Sequence, residues 1–189
     1  MSLRELLIER RSALCARWID AVLGEYGEIT AARWRKEKDR FANPIGHALA
    51  DGLPQLFDAV VEERAAGERA MTALEDIVRI RSVQDLSPSR AVGFVYLLRG
   101  AVRQELEGAL AGGAYARELA ELDARVEQLA LVAFDAYVAL REHTYQLRQE
   151  ELRRSVASIL RRWGGGELPQ EVSEDVVKLG RPPGPGERR

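Results

Sequence analysis

The 189-residue sequence has one cysteine, Cys15, and two histidines, His47 and His143. A single cysteine closes no disulfide within a chain and rules out a Cys-rich metal site. No His-x-x-x-His or Glu-x-x-His pair occurs. A structural zinc site normally takes four nitrogen or sulfur ligands, so none is expected. Charge of one sign is also missing. The chain carries 28 basic and 30 acidic residues, a net charge of −2. No overall field draws such a chain onto nucleic acid or into a membrane. Charges interrupt every apolar run well before ~18 residues, so neither a spanning helix nor a signal peptide is predicted. Cysteine usage and the missing leader together predict a cytoplasmic protein.

Chemistry is equally sparse. There is no Gly-x-Gly-x-x-Gly and no Gly-Lys-Ser/Thr phosphate loop, and no Gly-x-Ser-x-Gly elbow. Cys15 lies on an apolar helix side with no histidine close in sequence, the setting of a packing residue. Neighbouring carboxylates such as Glu75-Asp76 and Glu150-Glu151 have no sign of a cleft between them. Catalysis needs several roles filled together. The reading is therefore a non-enzyme with no catalytic, cofactor-binding or metal-binding residues and no cofactor.

What is present is helix. Ala, Leu, Glu and Arg are abundant and all are strong helix formers. Ser2 with Glu5 makes a capping box, and Leu3, Leu7, Leu14, Trp18 and Val22 continue at helical spacing to Gly24. A short helix is predicted around Ala31–Lys36. Asn43-Pro44 starts the second long helix, with a kink or a division expected at Pro54. A third spans roughly Ala70 to Val83. Ser87-Pro88 repeats the start signal for a fourth, which ends at Gly112-Gly113.

The fifth helix stands apart. From about Ala114 to Trp163 there is no proline and no glycine. At ~1.5 Å per residue such a helix spans about 75 Å, against roughly 30–40 Å for a compact domain. Either it breaks or its end leaves the domain. Leu122, Val126, Leu129, Ala133, Leu140 and Leu147 follow a coiled-coil-like spacing and form a candidate dimer seam. After Arg141 the chain is charged, with a narrow apolar line suited to one partner helix. The tail from Gly164 holds three consecutive glycines and four of the seven prolines. The expected organisation is a helical domain over 1–145, a helical extension over 146–163 and a flexible tail over 164–189. Glu171–Leu179 is a candidate short helix within that tail.

Four polar residues crowd the junction of the third and fourth helices: Arg79, Arg81, Gln84 and Arg90. Basic residues suit a helix C-terminus, and the start of the next helix suits an anion. They are the candidate partner or anion contact. His143 stands near the seam and His47 faces away from the Ile45–Leu49 stripe, so both are read first as surface or interface residues. Haem ligation or pH sensing by His143 is the rival reading.

Two blocks carry a resemblance. One is Phe41-x-Asn43-Pro44-Ile45-Gly46. The other runs unbroken from Leu74 through Arg79, Arg81, Gln84 and Arg90 to Phe94. Together they resemble the N-terminal sensor domain of RsbR/RsbRD-type proteins, the RsbT co-antagonist family of stress-signalling modules, over roughly residues 5–145. The resemblance implies an all-α, non-haem, globin-like bundle that dimerises through its long helices. It also implies a STAS or kinase effector after the last helix. This sequence has no such effector after residue 163, and so resembles the input half alone. The family brings no catalytic or ligand residues with it. For the globin-like fold that the resemblance implies, a haem variant would need a proximal histidine late in the third or fourth helix region, and the sequence has no histidine between His47 and His143. The expected function is a non-enzymatic sensory, regulatory or partner-binding module. Its output passes through the C-terminal helix 141–163 or the tail. A small-ligand or haem-binding globin-like protein is the alternative.

Overall fold

The computed structural model describes residues 1–163 apart from 38, 40, 41, 63–66 and 85. The tail, with its candidate helix over Glu171–Leu179, lies outside the described residues. Among the described residues there is no strand. The elements are α1 (Leu3–Glu9), α2 (Arg11–Gly24), α3 (Glu28–Lys36), α4 (Pro44–Val61), α5 (Glu68–Ser82), α6 (Pro88–Gly93), α7 (Leu97–Glu105), α8 (Glu107–Leu110) and α9 (Ala116–Trp163). Single 3-10 turns fill Phe94–Tyr96 and Ala111–Gly113.

Contacts divide the chain into two units, residues 1–141 and 142–189. The first holds an apolar core. Trp18, Leu14, Leu53, Leu56, Phe57, Leu74, Val78, Phe94, Leu98 and Val126 are all buried in it. α4 and α5 pair closely because Gly52 has no side chain. A Cβ there would meet Ile77 Cδ1 at 2.9 Å. The described part of the second unit is the α9 stretch 142–163, in which every residue from 142 to 156 is exposed.

Local chemistry explains most boundaries. Ser2 and Glu5 form the predicted capping box on α1. Asn43 caps α4 through Gly46 N–H at 2.8 Å, and its amide also donates to the Trp34 carbonyl at 2.7 Å. One buried side chain thus closes the end of α3 and the start of α4.

Three helices differ from expectation. The first is interrupted at Arg10, whose φ of −94° and ψ of 11° leave the helical basin. The interruption starts α2 at Arg11, whose guanidinium grips both Asp58 oxygens at 2.6 Å. This hydrogen-bonded pair with Asp58 raises the Arg11 pKa. In the second, of the two outcomes expected at Pro54, the division is absent and the helix runs on as one element. A proline inside a helix costs about 3 kcal/mol. Burial of Leu53, Leu56 and Phe57 around it offsets this at about 1.5–3 kcal/mol each. The fourth is divided into α6, a 3-10 turn, α7 and α8. The Phe94 carbonyl accepts the Leu97 N–H within the turn and, as a second bond, the indole N–H of buried Trp18 at 2.8 Å. A polar atom of the largest core side chain is satisfied where the helix tightens.

Candidate functional site

The Arg79–Arg90 junction is built around Arg81, which is 1 % exposed at the end of α5. Its Nε donates to the Ala91 carbonyl at 3.2 Å. One terminal nitrogen donates to Tyr26 Oη at 2.9 Å. The other donates to Glu25 Oε2 at 2.6 Å and to the Arg90 carbonyl at 2.7 Å. The guanidinium carbon also stands 5.3 Å from the Tyr26 ring centre and 5.5 Å from that of Phe94. This is a junction of α2, α5 and α6, with its donors turned inward. Burial pushes the Tyr26 phenol up, while Arg81 opposes that rise.

The other three residues of the cluster sit differently. Arg90 is exposed and donates to the Glu25 carbonyl at 2.7 Å. Arg79 is exposed and pairs with Asp76 at 3.1 Å. Gln84 is half-buried. Arg79 also lines an open groove of about 630 Å³ between α4 and α5, together with His47, Asp51, Arg69 and Asp76. Cys15 is buried, and desolvation pushes its thiol up. His143 is exposed in the second unit. Among the described residues, no three His, Cys, Asp or Glu side chains come together in a way that holds a metal ion.

The candidate seam on α9 is divided by the fold. Leu122, Val126, Leu129 and Ala133 are buried in the core of their own chain. Leu140 is half-buried against it. Leu147, in the second unit, is exposed. The rotation of α9 that buries the first four is held by ion pairs from α7. Arg99 Nε lies 3.3 Å from Asp123 Oδ1, and its NH2 lies 2.7 Å from Glu127 Oε1. Arg103 adds a 2.6 Å contact to Asp123.

That rotation leaves a second apolar surface in the first unit. Leu131 is 58 % exposed and Phe134 49 %. At ~100° per residue, Leu131 is turned almost opposite to the buried Leu129 and Ala133. Reasoning from the buried seam alone misses this surface. A signal for it is in the sequence all the same: Leu131, Val138, Tyr145, Leu152 and Ile159 recur every seven residues, the repeat of a coiled-coil face.

A family model for the RsbT co-antagonist protein rsbRD N-terminal domain matches residues 12–152. The chain belongs to this family. No curated protein and no solved structure matches it. The RsbRD N-terminal domain is a signalling domain of regulatory type. In this member the match takes in the whole Arg81 junction and most of α9. Among the described residues no helix is long and apolar enough to cross a membrane.

Proposed function

We propose that this RsbRD-type domain is a non-enzymatic, non-haem signalling module of the cytoplasm, and that its state is read out through α9. The exposure of Leu131 and Phe134 beside a fully packed core carries the reading. A helix that has already buried one apolar face in its own chain still presents another. Exposed apolar side chains grouped in this way mark protein contacts. The regulatory nature of the family supports the same conclusion. Two copies associate through the Leu131 and Phe134 side of α9, because Leu122, Val126, Leu129 and Ala133 are already covered. A change in core packing then alters how the two α9 helices meet, and the stretch 141–163 passes that change to a protein partner. Arg79 and Arg90, at the surface of the α5–α6 junction, form the subsidiary contact.

Light scattering on full-length protein tests the association. The unaltered chain is expected to run as a dimer and Leu131→Asp as a monomer, with an unchanged circular dichroism spectrum. A dimer that survives both Leu131→Asp and Phe134→Asp would remove this face from the assembly.

A further inference from the structure

In sequence, the heptad line of Leu131 and Val138 continues into the second unit, where Val156 joins it. Tyr145, Leu152, Val156 and Ile159 are between 37 % and 57 % exposed. Their spacing of seven, four and three residues keeps them on one side of the helix. The charges around this stripe are unevenly placed. At ~100° per residue, Arg148 lies about 50° from the stripe centre on one side and Arg153 about 90° on the other. Glu150 and Glu151 fall more than about 100° away, toward the back. Glu150 is turned along the helix to Arg154 at 3.4 Å. Glu142 is the one acidic residue on the stripe's side, at its N-terminal end.

Arginines bordering an apolar line select the partner. Across two parallel helices, residues flanking the seam meet partners five positions on. A second copy would therefore set Arg148 against Arg153. In the antiparallel arrangement like flanks meet, and the Arg148 flank would face itself. Both self-pairings bring like charges together at the edge of a drying interface, where repulsion disfavours the wrong partner. A helix with leucines on one face and carboxylates on both borders has neither conflict.

We infer that the stripe formed by Tyr145, Leu152, Val156 and Ile159, bordered by Arg148 and Arg153, is a docking surface for an acidic amphipathic helix of another protein. The inference rests on the reading of α9 as the output element and names the chemistry of the partner there. It separates two uses of one helix. Residues Leu131 and Phe134 meet a second copy, and residues 145–159 meet a different chain.

The test uses the full-length protein and two labelled peptides of about four heptads. Both carry leucine at the seam positions. One has glutamate at the flanking positions and the other lysine. Fluorescence anisotropy is expected to show the glutamate peptide binding at least tenfold more tightly, and weakening as salt is added. Leu152→Asp is expected to reduce that binding at least tenfold. The double change Arg148→Glu and Arg153→Glu is expected to reverse the preference between peptides. Equal affinity for both peptides would overturn the inference. So would a dimer that Leu152→Asp turns into a monomer, since a second copy would then fill the stripe. Sedimentation with phosphatidylserine vesicles that Leu152→Asp abolishes would assign the stripe to a membrane surface instead. Loss of peptide selectivity while Leu131→Asp still dissociates the dimer would remove this partner and leave the proposed function standing.

Discussion

Arg81 shows how one residue in this protein acts as a structural hub. A charge in an apolar core is tolerated only when its donors are matched. Here Glu25, Tyr26 and the carbonyls of Arg90 and Ala91 match them. Replacing Arg81 with methionine keeps much of the volume and strands those acceptors. Removing one member of a buried pair costs 3–5 kcal/mol. Glu25 keeps 22 % exposure, so a loss of about 3 kcal/mol is expected. Urea denaturation would show it as a lower midpoint with an unchanged slope. Arg81→Lys is expected to recover little, because a single ammonium cannot span four acceptors in a planar fork. The sequence marked Arg81 as a basic residue at a helix end. Its place on successive turns with Leu74, Ile77 and Val78 was legible there, but its acceptors were not, because they lie on elements more than fifty residues away or beyond a turn.

At the scale of elements, packing decided where helices stop. The capping signals Ser2, Asn43 and Ser87 were read correctly from the sequence, since a cap is a contact between residues three apart. The interruptions at Arg10 and at Phe94–Tyr96 were not. Both are stabilised by groups distant in sequence, Asp58 in one case and Trp18 in the other. At Pro54 the helix is not divided: the element continues through a local breaker, with Leu53, Leu56 and Phe57 buried around it. α7 holds a residue that neither packing nor capping requires. Gly100 is exposed, and a Cβ there meets nothing within 4 Å. Gly100→Ala is expected to stabilise the protein by about 0.5–1 kcal/mol. The thermal midpoint should then rise by a few degrees. No change in midpoint would mean that α7 is already fully formed in the unfolded ensemble.

For the whole molecule, the two units differ in what holds them. In the first, the α9 residues Leu122, Val126, Ala130, Ala133 and Tyr137 are buried, and Arg99 and Arg103 clamp Asp123 and Glu127. In the second, residues 142–156 are exposed throughout. An isolated helix of that length is marginal in water even for good helix formers. Amide hydrogen exchange at a concentration where the chain is monomeric is expected to be at least 100-fold faster over 142–159 than over 122–137. Binding of a partner helix would slow the fast segment. Equal protection across both segments would show that the second unit is held by more than its own backbone hydrogen bonds.

By itself the sequence determined the all-helical class, the caps, the length of the last helix and the family. All of these depend on residues close together or on a pattern repeated along the chain. It also contained both apolar lines of α9, at their proper spacings. Only the tertiary structure decided which line faces the core. A helix with two apolar lines can bury either one, and the choice rests on partners from elsewhere in the chain. The Arg99 and Arg103 pairs with Asp123 and Glu127 hold the turn of α9 that places Leu122 and Val126 in the apolar core. They leave Leu131 and Phe134 exposed on the other side of the helix.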